Sequence, residues 1–242
     1  MNTRFAWLMA IMFAGSSLLS GCFLDDFPCI NADNTVGTET FTIADPFIGV
    51  KLSFPGDVNI TQDPTVSVVA NGSQNLLDVI EVEVIDSILV IDADNLCVLN
   101  SDVVFDISLP DVEYLAISGS GSMVGTAPIQ TQDIELKISG SGDLDLDLSA
   151  TDIDGRISGS GDVILAGTAS DLDFKISGSG NVEAFDLMAA TAELKVSGAG
   201  DMEVSVSDTL NVTISGSGSV KYKGSPSINS QVSGSGSLVD AN

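Results

Sequence analysis

Acidic side chains recur in this chain at fixed offsets from a repeated four-residue phrase. Four positions after the first residue of successive copies stand Asp143, Asp162, Asn181 and Asp201, and six positions before it stand Asp133, Asp152 and Asp171. Two kinds of chemistry use carboxylates in such numbers. Acids held in unlike surroundings can act as general acid and base in cleaving a polysaccharide, and six to eight oxygens can surround calcium. Both readings meet the same difficulty. An enzyme gathers a few different groups at one point, whereas these acids form a row of equivalents beside small serines. The spacing also differs from the nine-residue calcium repeat. With no His in the chain, no catalytic residue, metal site or cofactor is assigned. The row Asp143, Asp162, Asn181 and Asp201 is kept as a candidate exposed acidic and polar row.

Basic residues are equally regular. Lys137, Arg156, Lys175 and Lys195 lie two positions before the phrase, and Glu135, Asp154, Asp173 and Glu193 lie four before it. If neighbouring repeats stack about 4.8 Å apart, each row repels itself and the adjacent row of opposite sign compensates. This candidate basic row therefore reads as register chemistry on a solvated face, with a charged binding strip as the alternative. The formal net charge is −26. That balance argues against nucleic acid as a partner and against unaided adsorption to anionic lipid.

The phrase itself positions these rows. Ser118-Gly119-Ser120-Gly121 returns at Ser139, Ser158, Ser177, Ser197, Ser215 and Ser233, with Ala199 replacing the second Ser in the fifth copy. A fixed period of about twenty residues marks a solenoid in which each repeat supplies one coil. Counting back one, three and five positions gives Ile138, Leu136 and Ile134, then Ile157, Gly155 and Ile153, then Ile176, Phe174 and Leu172. These positions point to one face of a strand and form the expected core. The same parity places both glycines of each phrase inward, at a tight corner between strands. A phosphate-cradling role for them fails, because neither Lys nor a helix follows any copy.

The expected fold is all-β: a parallel β-helix of about seven coils over residues 112–242, preceded by an irregular N-terminal β portion over 41–111. Strand candidates in that portion lie at 50–54, 66–70, 79–84, 88–91 and 103–109. The coil at Ser233 shows no obvious cap in the sequence, so its edge is expected to pair with another subunit.

Residues 1–21 read as an export signal. Arg4 precedes an apolar run from Phe5 to Leu19, closed by Leu19-Ser20-Gly21-Cys22. This ending resembles the bacterial lipobox, with an ordinary signal peptide as the alternative. The resemblance implies acylation at Cys22, membrane attachment through that anchor, and a lipidated tether over 22–40. The bacterial cell envelope is the expected location, and Phe23, which does not resemble an inner-membrane retention signal, favours the outer membrane. In an oxidising compartment Cys29 and Cys97 are a candidate disulfide, two buried thiols being the competing reading.

An ordered series runs through the body of the chain: Phe47-Ile48-Gly49-Val50-Lys51-Leu52, Asn75-Leu76-Leu77-Asp78-Val79-Ile80-Glu81-Val82-Glu83-Val84, Ile88-Leu89-Val90-Ile91, Ile107-Ser108-Leu109-Pro110 and Leu115-Ala116-Ile117-Ser118-Gly119-Ser120-Gly121. From about Phe41 to Leu238 this series resembles the GIN-domain family of auto-transporter adhesin head domains. The resemblance implies a β-solenoid with an irregular β start and a role at the cell surface, and it supplies no catalytic residues. The expected function is that of a non-enzymatic envelope lipoprotein serving interaction, adhesion or scaffolding. Its expected partners are a glycan or protein at the cell surface and a second copy at the solenoid end. A polysaccharide-cleaving β-helix enzyme and a calcium-binding solenoid are the alternatives.

Overall fold

The computed structural model describes residues 29–33, 35–93 and 96–242; the expected signal segment and Cys22 lie outside them. The chain opens with β1 (Cys29–Asn31) and β2 (Val36–Thr40). Then come β3 (Gly49–Leu52), β4 (Asp57–Gln62), β5 (Ser67–Ser73), one helical turn α1 (Gln74–Leu77), β6 (Glu81–Ile85), β7 (Ile88–Asp92), β8 (Cys97–Leu99) and β9 (Val104–Leu109). The repeats begin with β10 (Tyr114–Ile117), β11 (Ser122–Gly125), β12 (Ile129–Gln130) and β13 (Asp133–Ile138). They continue with four long strands, β14 (Asp143–Ile157), β15 (Val163–Ile176), β16 (Val182–Val196) and β17 (Met202–Ile214). The last elements are β18 (Ser219–Lys223), β19 (Ser227–Val232) and β20 (Ser237–Asp240).

Successive long strands are separated by the serine–glycine phrase and pair in parallel, in register apart from irregularities at Ile164–Ala166, Ala184–Met188 and Ala189–Thr191, so the fold is a β-solenoid of about seven turns. Register follows from the alternation of apolar and polar residues, since a one-residue slip would expose every apolar side chain. Ile134, Ile153, Leu172, Ala192 and Leu210 stack in one buried row, and Ile138, Ile157, Ile176, Val196 and Ile214 in another. Size varies within a row where the neighbour compensates: a Cβ on Gly155 would lie 1.9 Å from the Phe174 ring, so the missing side chain makes room for the ring above it.

Two features differ from the sequence expectation. The first is the boundary at 111. β3 pairs in parallel with β10 and β7, and β4 with β11 and β9, so residues 41–111 contribute further coils to the same stack. Their corner is Ser53-Phe54-Pro55-Gly56, which carries Phe and Pro where later copies carry Gly and Ser; Ser118 N–H donates to the Leu52 carbonyl at 2.8 Å. β1 and β2, inside the span expected as a tether, are likewise paired, β1 with β8 in parallel and β2 with β5 in antiparallel fashion.

The second difference concerns the corner glycines. The second glycine of the early copies is buried, but its missing Cβ points along the stack as well as inward. A Cβ on Gly161 would lie 1.8 Å from the Gly142 carbonyl, and one on Gly140 2.0 Å from the Gly119 carbonyl. Glycine is required here by the approach of neighbouring backbones, because alternation of in and out breaks down where the chain turns.

The first end of the stack is closed. β5 lies antiparallel on β9, β2 on β5, and β6 on β7. α1 lays Leu76 and Leu77, both buried, over the core. Four residues are too few to display a helical period, so nothing in the sequence pattern marks this turn.

Candidate functional site

The corner places the row of Asp143, Asp162, Asn181 and Asp201 where the backbone N–H of each residue faces the side chain one coil earlier. Asp162 N–H donates to Asp143 Oδ1 at 2.8 Å, Asn181 N–H to Asp162 Oδ1 at 2.8 Å, Asp201 N–H to Asn181 Oδ1 at 3.0 Å, and Ser219 N–H to Asp201 Oδ1 at 2.6 Å. The row is thus a side-chain ladder that continues the β-ladder through the corner. Carboxylates suit it because they only accept, and the group presented by the next coil only donates. Asn181 also donates its Nδ2 to Asp162 Oδ1 at 2.9 Å.

The ladder has an earlier member that the repeat count misses. Asp57 Oδ1 accepts from Ser122 N–H at 3.0 Å and from Ser122 Oγ at 2.7 Å. The signal for it is its offset: Asp57 follows Ser53 by four positions, as Asp143 follows Ser139. Recognition fails because Phe54 and Pro55 hide the corner.

The charged rows lie on the adjoining outward face. Glu135, Asp154, Asp173 and Glu193 stack in register, as do Lys137, Arg156, Lys175 and Lys195. Compensation runs along β13, β15 and β16: Lys137 Nζ pairs with Glu135 at 2.7 Å, Lys175 with Asp173 at 3.2 Å, and Lys195 with Glu193. Arg156 Nε donates to Ser158 Oγ at 3.4 Å. The hydrogen bond from Lys195 holds the Glu193 carboxyl below its ordinary value, and the bond to Glu193 raises the Lys195 ammonium.

Among the described residues, a third row forms no ion pair. Asp133, Asp152 and Asp171 stack in register, and Asp152, in the middle, is pushed above the ordinary carboxylate value by reduced hydration, by hydrogen bonding to Asp133 and by repulsion from Asp133 and Asp171. Among the described residues, no group of three or more His, Cys, Asp or Glu is placed to hold a metal ion.

Further along the stack the charge fades. The three rows become Thr209, Asn211 and Thr213 on β17, then Ser227, Asn229 and Gln231 on β19. On this face the solenoid therefore passes from charged rows on β13 to β16 to uncharged, hydrogen-bonding rows on β17 and β19.

Cys29 and Cys97 are joined, with Cα atoms 4.3 Å apart, and fasten β1 to β8. Among the described residues no helix is long and apolar enough to cross a membrane.

Residues 46–226 match the family described as "Putative auto-transporter adhesin, head GIN domain". The chain belongs to this family. The GIN domain also aligns with a "putative adhesin" of Bacteroides fragilis, at 26% identity and a TM-score of 0.82, over 87% of this chain and 99% of the other. A "putative adhesin" of Parabacteroides merdae shares 20% identity with a TM-score of 0.70, covering 88% of this chain and 99% of its own. A "putative lipid binding protein" of Parabacteroides distasonis shares 23% identity with a TM-score of 0.71, over 89% and 100%. The last two likenesses show the fold alone. No curated protein matches the chain.

Proposed function

We propose that this GIN domain is a lipid-anchored adhesion or scaffolding module of the bacterial cell envelope that binds through an extended polar face and carries out no turnover chemistry. The observation that carries the reading is the ladder. Asp143, Asp162 and Asp201, the acids a polysaccharide-cleaving enzyme would have called on, each accept a backbone N–H from the next coil. They occupy repeated, equivalent surroundings, and such surroundings do not separate two pKa values as acid and base catalysis requires.

What remains outward is a series of hydroxyl, amide and carboxylate groups repeated at the coil spacing. An array of that kind suits a repetitive partner such as a surface glycan, because several weak contacts add when their spacing matches. Membership of a family of adhesin heads supports the same class of function. The lipobox-like Leu19-Ser20-Gly21-Cys22 supports the anchor, since two or three acyl chains hold a protein on a membrane stably.

Two measurements test the proposal. Labelled fatty acid should be incorporated into the wild-type protein and not into Cys22→Ser. Purified protein should be retained by isolated envelope polysaccharide without shortening it. Polysaccharide cleavage that is lost in Asp162→Asn would overturn the non-enzymatic assignment, and failure of wild type to incorporate fatty acid would overturn the anchor.

A further inference from the structure

The two ends of the solenoid are finished differently. At the first end α1 covers the core with Leu76 and Leu77, and antiparallel strands close both sides. At the other end the core rows run out into solvent. Leu210 and Ile214 are fully buried, whereas Ile228 and Val232, their partners one coil later, are 42% and 45% exposed. On β20, Leu238 continues the buried row of Met202 and Val220 and is only partly covered. β19 pairs only with β17 and β20 only with β18, so among the described residues the outer edges of both strands have no strand partner.

From this we infer that the open end is a docking surface for a second copy of the same chain, the two solenoids meeting end to end about a two-fold axis. Unpaired backbone N–H and C=O groups beside exposed apolar side chains are the elements of strand addition. Charge selects the occupant. The chain carries a formal charge of −26, yet from Gly224 to Asn242 its one ionisable side chain is Asp240. An end-to-end contact is the approach that brings two such chains together over a nearly neutral surface while their charged rows stay farthest apart. Topology selects the symmetry. Head-to-tail stacking would set the open end against a core already covered by α1, with Glu81 and Glu83 on the exposed edge strand β6, whereas a two-fold contact matches the open end with itself. If Cys22 is the anchor, this end lies at the far end of the stack from the disulfide-fastened start, and the contact would join heads on facing membranes. That consequence rests on the proposed anchor; the dimer does not.

The full chain, purified in mild detergent, provides the test by sedimentation velocity and by cross-linking. Wild type should sediment as a dimer that tightens with added salt, as screening removes the remaining repulsion. Val232→Lys and Ile228→Lys should each weaken the dimer at least about ten-fold, because each would bury an unpaired ammonium, with unfolding curves confirming that the fold persists. Ser230→Cys, in the middle of β19, should form a disulfide-linked dimer under mild oxidation, whereas Asp145→Cys on the lateral surface should not. A monomer at every concentration up to about 100 µM, a dimer indifferent to both lysine variants, or an assembly that grows beyond two copies would each overturn the inference.

Discussion

Asp162 Oδ1 receives two hydrogen bonds from Asn181, one from its backbone N–H at 2.8 Å and one from its side-chain Nδ2 at 2.9 Å. Asn181 in turn accepts from Asp201 N–H. The amide thus breaks a run of carboxylates in which neighbours would otherwise face one another at the coil spacing.

Exchanging acid and amide in this row should have opposite effects. Asn181→Asp keeps an acceptor for Asp201 but replaces a donor to Asp162 with a second carboxylate, so it should lower stability by about 1–3 kcal/mol, or several degrees in melting midpoint. Asp162→Asn keeps an acceptor for the Asn181 N–H and removes a charge, so its midpoint should equal or exceed that of wild type. Thermal unfolding by circular dichroism at low salt distinguishes the two. A midpoint for Asn181→Asp equal to that of wild type would contradict the ladder.

Equivalent glycines should not tolerate alanine equally. A Cβ on Gly140 would lie 2.0 Å from the Gly119 carbonyl, whereas one on Gly119 would find its nearest neighbour, the Phe54 carbonyl, at 3.7 Å. The coil below Gly119 turns through Phe54 and Pro55 and leaves space that the glycine corners lack. Gly140→Ala should cost at least about 1–3 kcal/mol, the usual penalty of overpacking, while Gly119→Ala stays near wild type. Similar losses from both would show that the requirement for glycine is general to the phrase and not set by the coil beneath.

These glycines mark the point where sequence parity stops being informative. Counting from Ile138, Ile157 and Ile176 assigns the core rows correctly, because along a straight strand each side chain has only two directions to take. At the corner the Cα–Cβ direction acquires a component along the stack, and a two-valued count has no symbol for it. The acidic row was legible as a row, and its partners were not: a hydrogen bond from Asn181 N–H to Asp162 involves a backbone group, which every residue type offers alike. Asp57 was hidden for another reason, since Phe54 and Pro55 mask its corner although its offset from Ser53 is the regular one. The open end at Ile228 and Val232 could be read only as a missing cap; the contrast with α1 needed the structure.

Stability should depend on pH through Asp152. Reduced hydration, hydrogen bonding to Asp133 and the charges of Asp133 and Asp171 raise its folded-state pKa above the unfolded value. The folded state therefore holds this proton more tightly, and the ionised group opposes folding at neutral pH, an effect relieved as pH falls through the raised value. Asp152→Asn should melt above wild type at pH 7, and the difference should close by about pH 3, below the ordinary carboxylate value. A difference that persists unchanged at low pH would assign the gain to something other than charge.

Asp102 should act in the opposite direction. Its carboxylate accepts from Ser73 N–H at 3.0 Å and Ser73 Oγ at 2.8 Å, and the backbone bond is the main cause that holds its pKa below the ordinary value. A depressed folded-state pKa contributes stability that is present at neutral pH and lost as pH falls through the unfolded and then the folded value. Asp102→Ala should therefore lower the melting midpoint at pH 7 and have a smaller effect near pH 3. An equal loss at both values would mean that the side chain acts by packing alone.

The disulfide should matter most for the closed end. Cys29 and Cys97 are separated by 68 residues, and a bridge over that length removes chain entropy from the unfolded state equivalent to at most about 4 kcal/mol. β1 and β8 form a two-stranded sheet of their own, with no ladder to the main stack, so without the bridge they keep a three-residue ladder, the packing of Ile30 and Val98 on the core and the Asn75 bond to the Asn31 carbonyl. Reduction should therefore lower the melting midpoint and, before global unfolding, speed amide exchange at Cys29–Asn31 and Cys97–Leu99, leaving the rows from β14 to β17 protected. Exchange that rises uniformly along the stack would instead show that the bridge secures the solenoid as a whole.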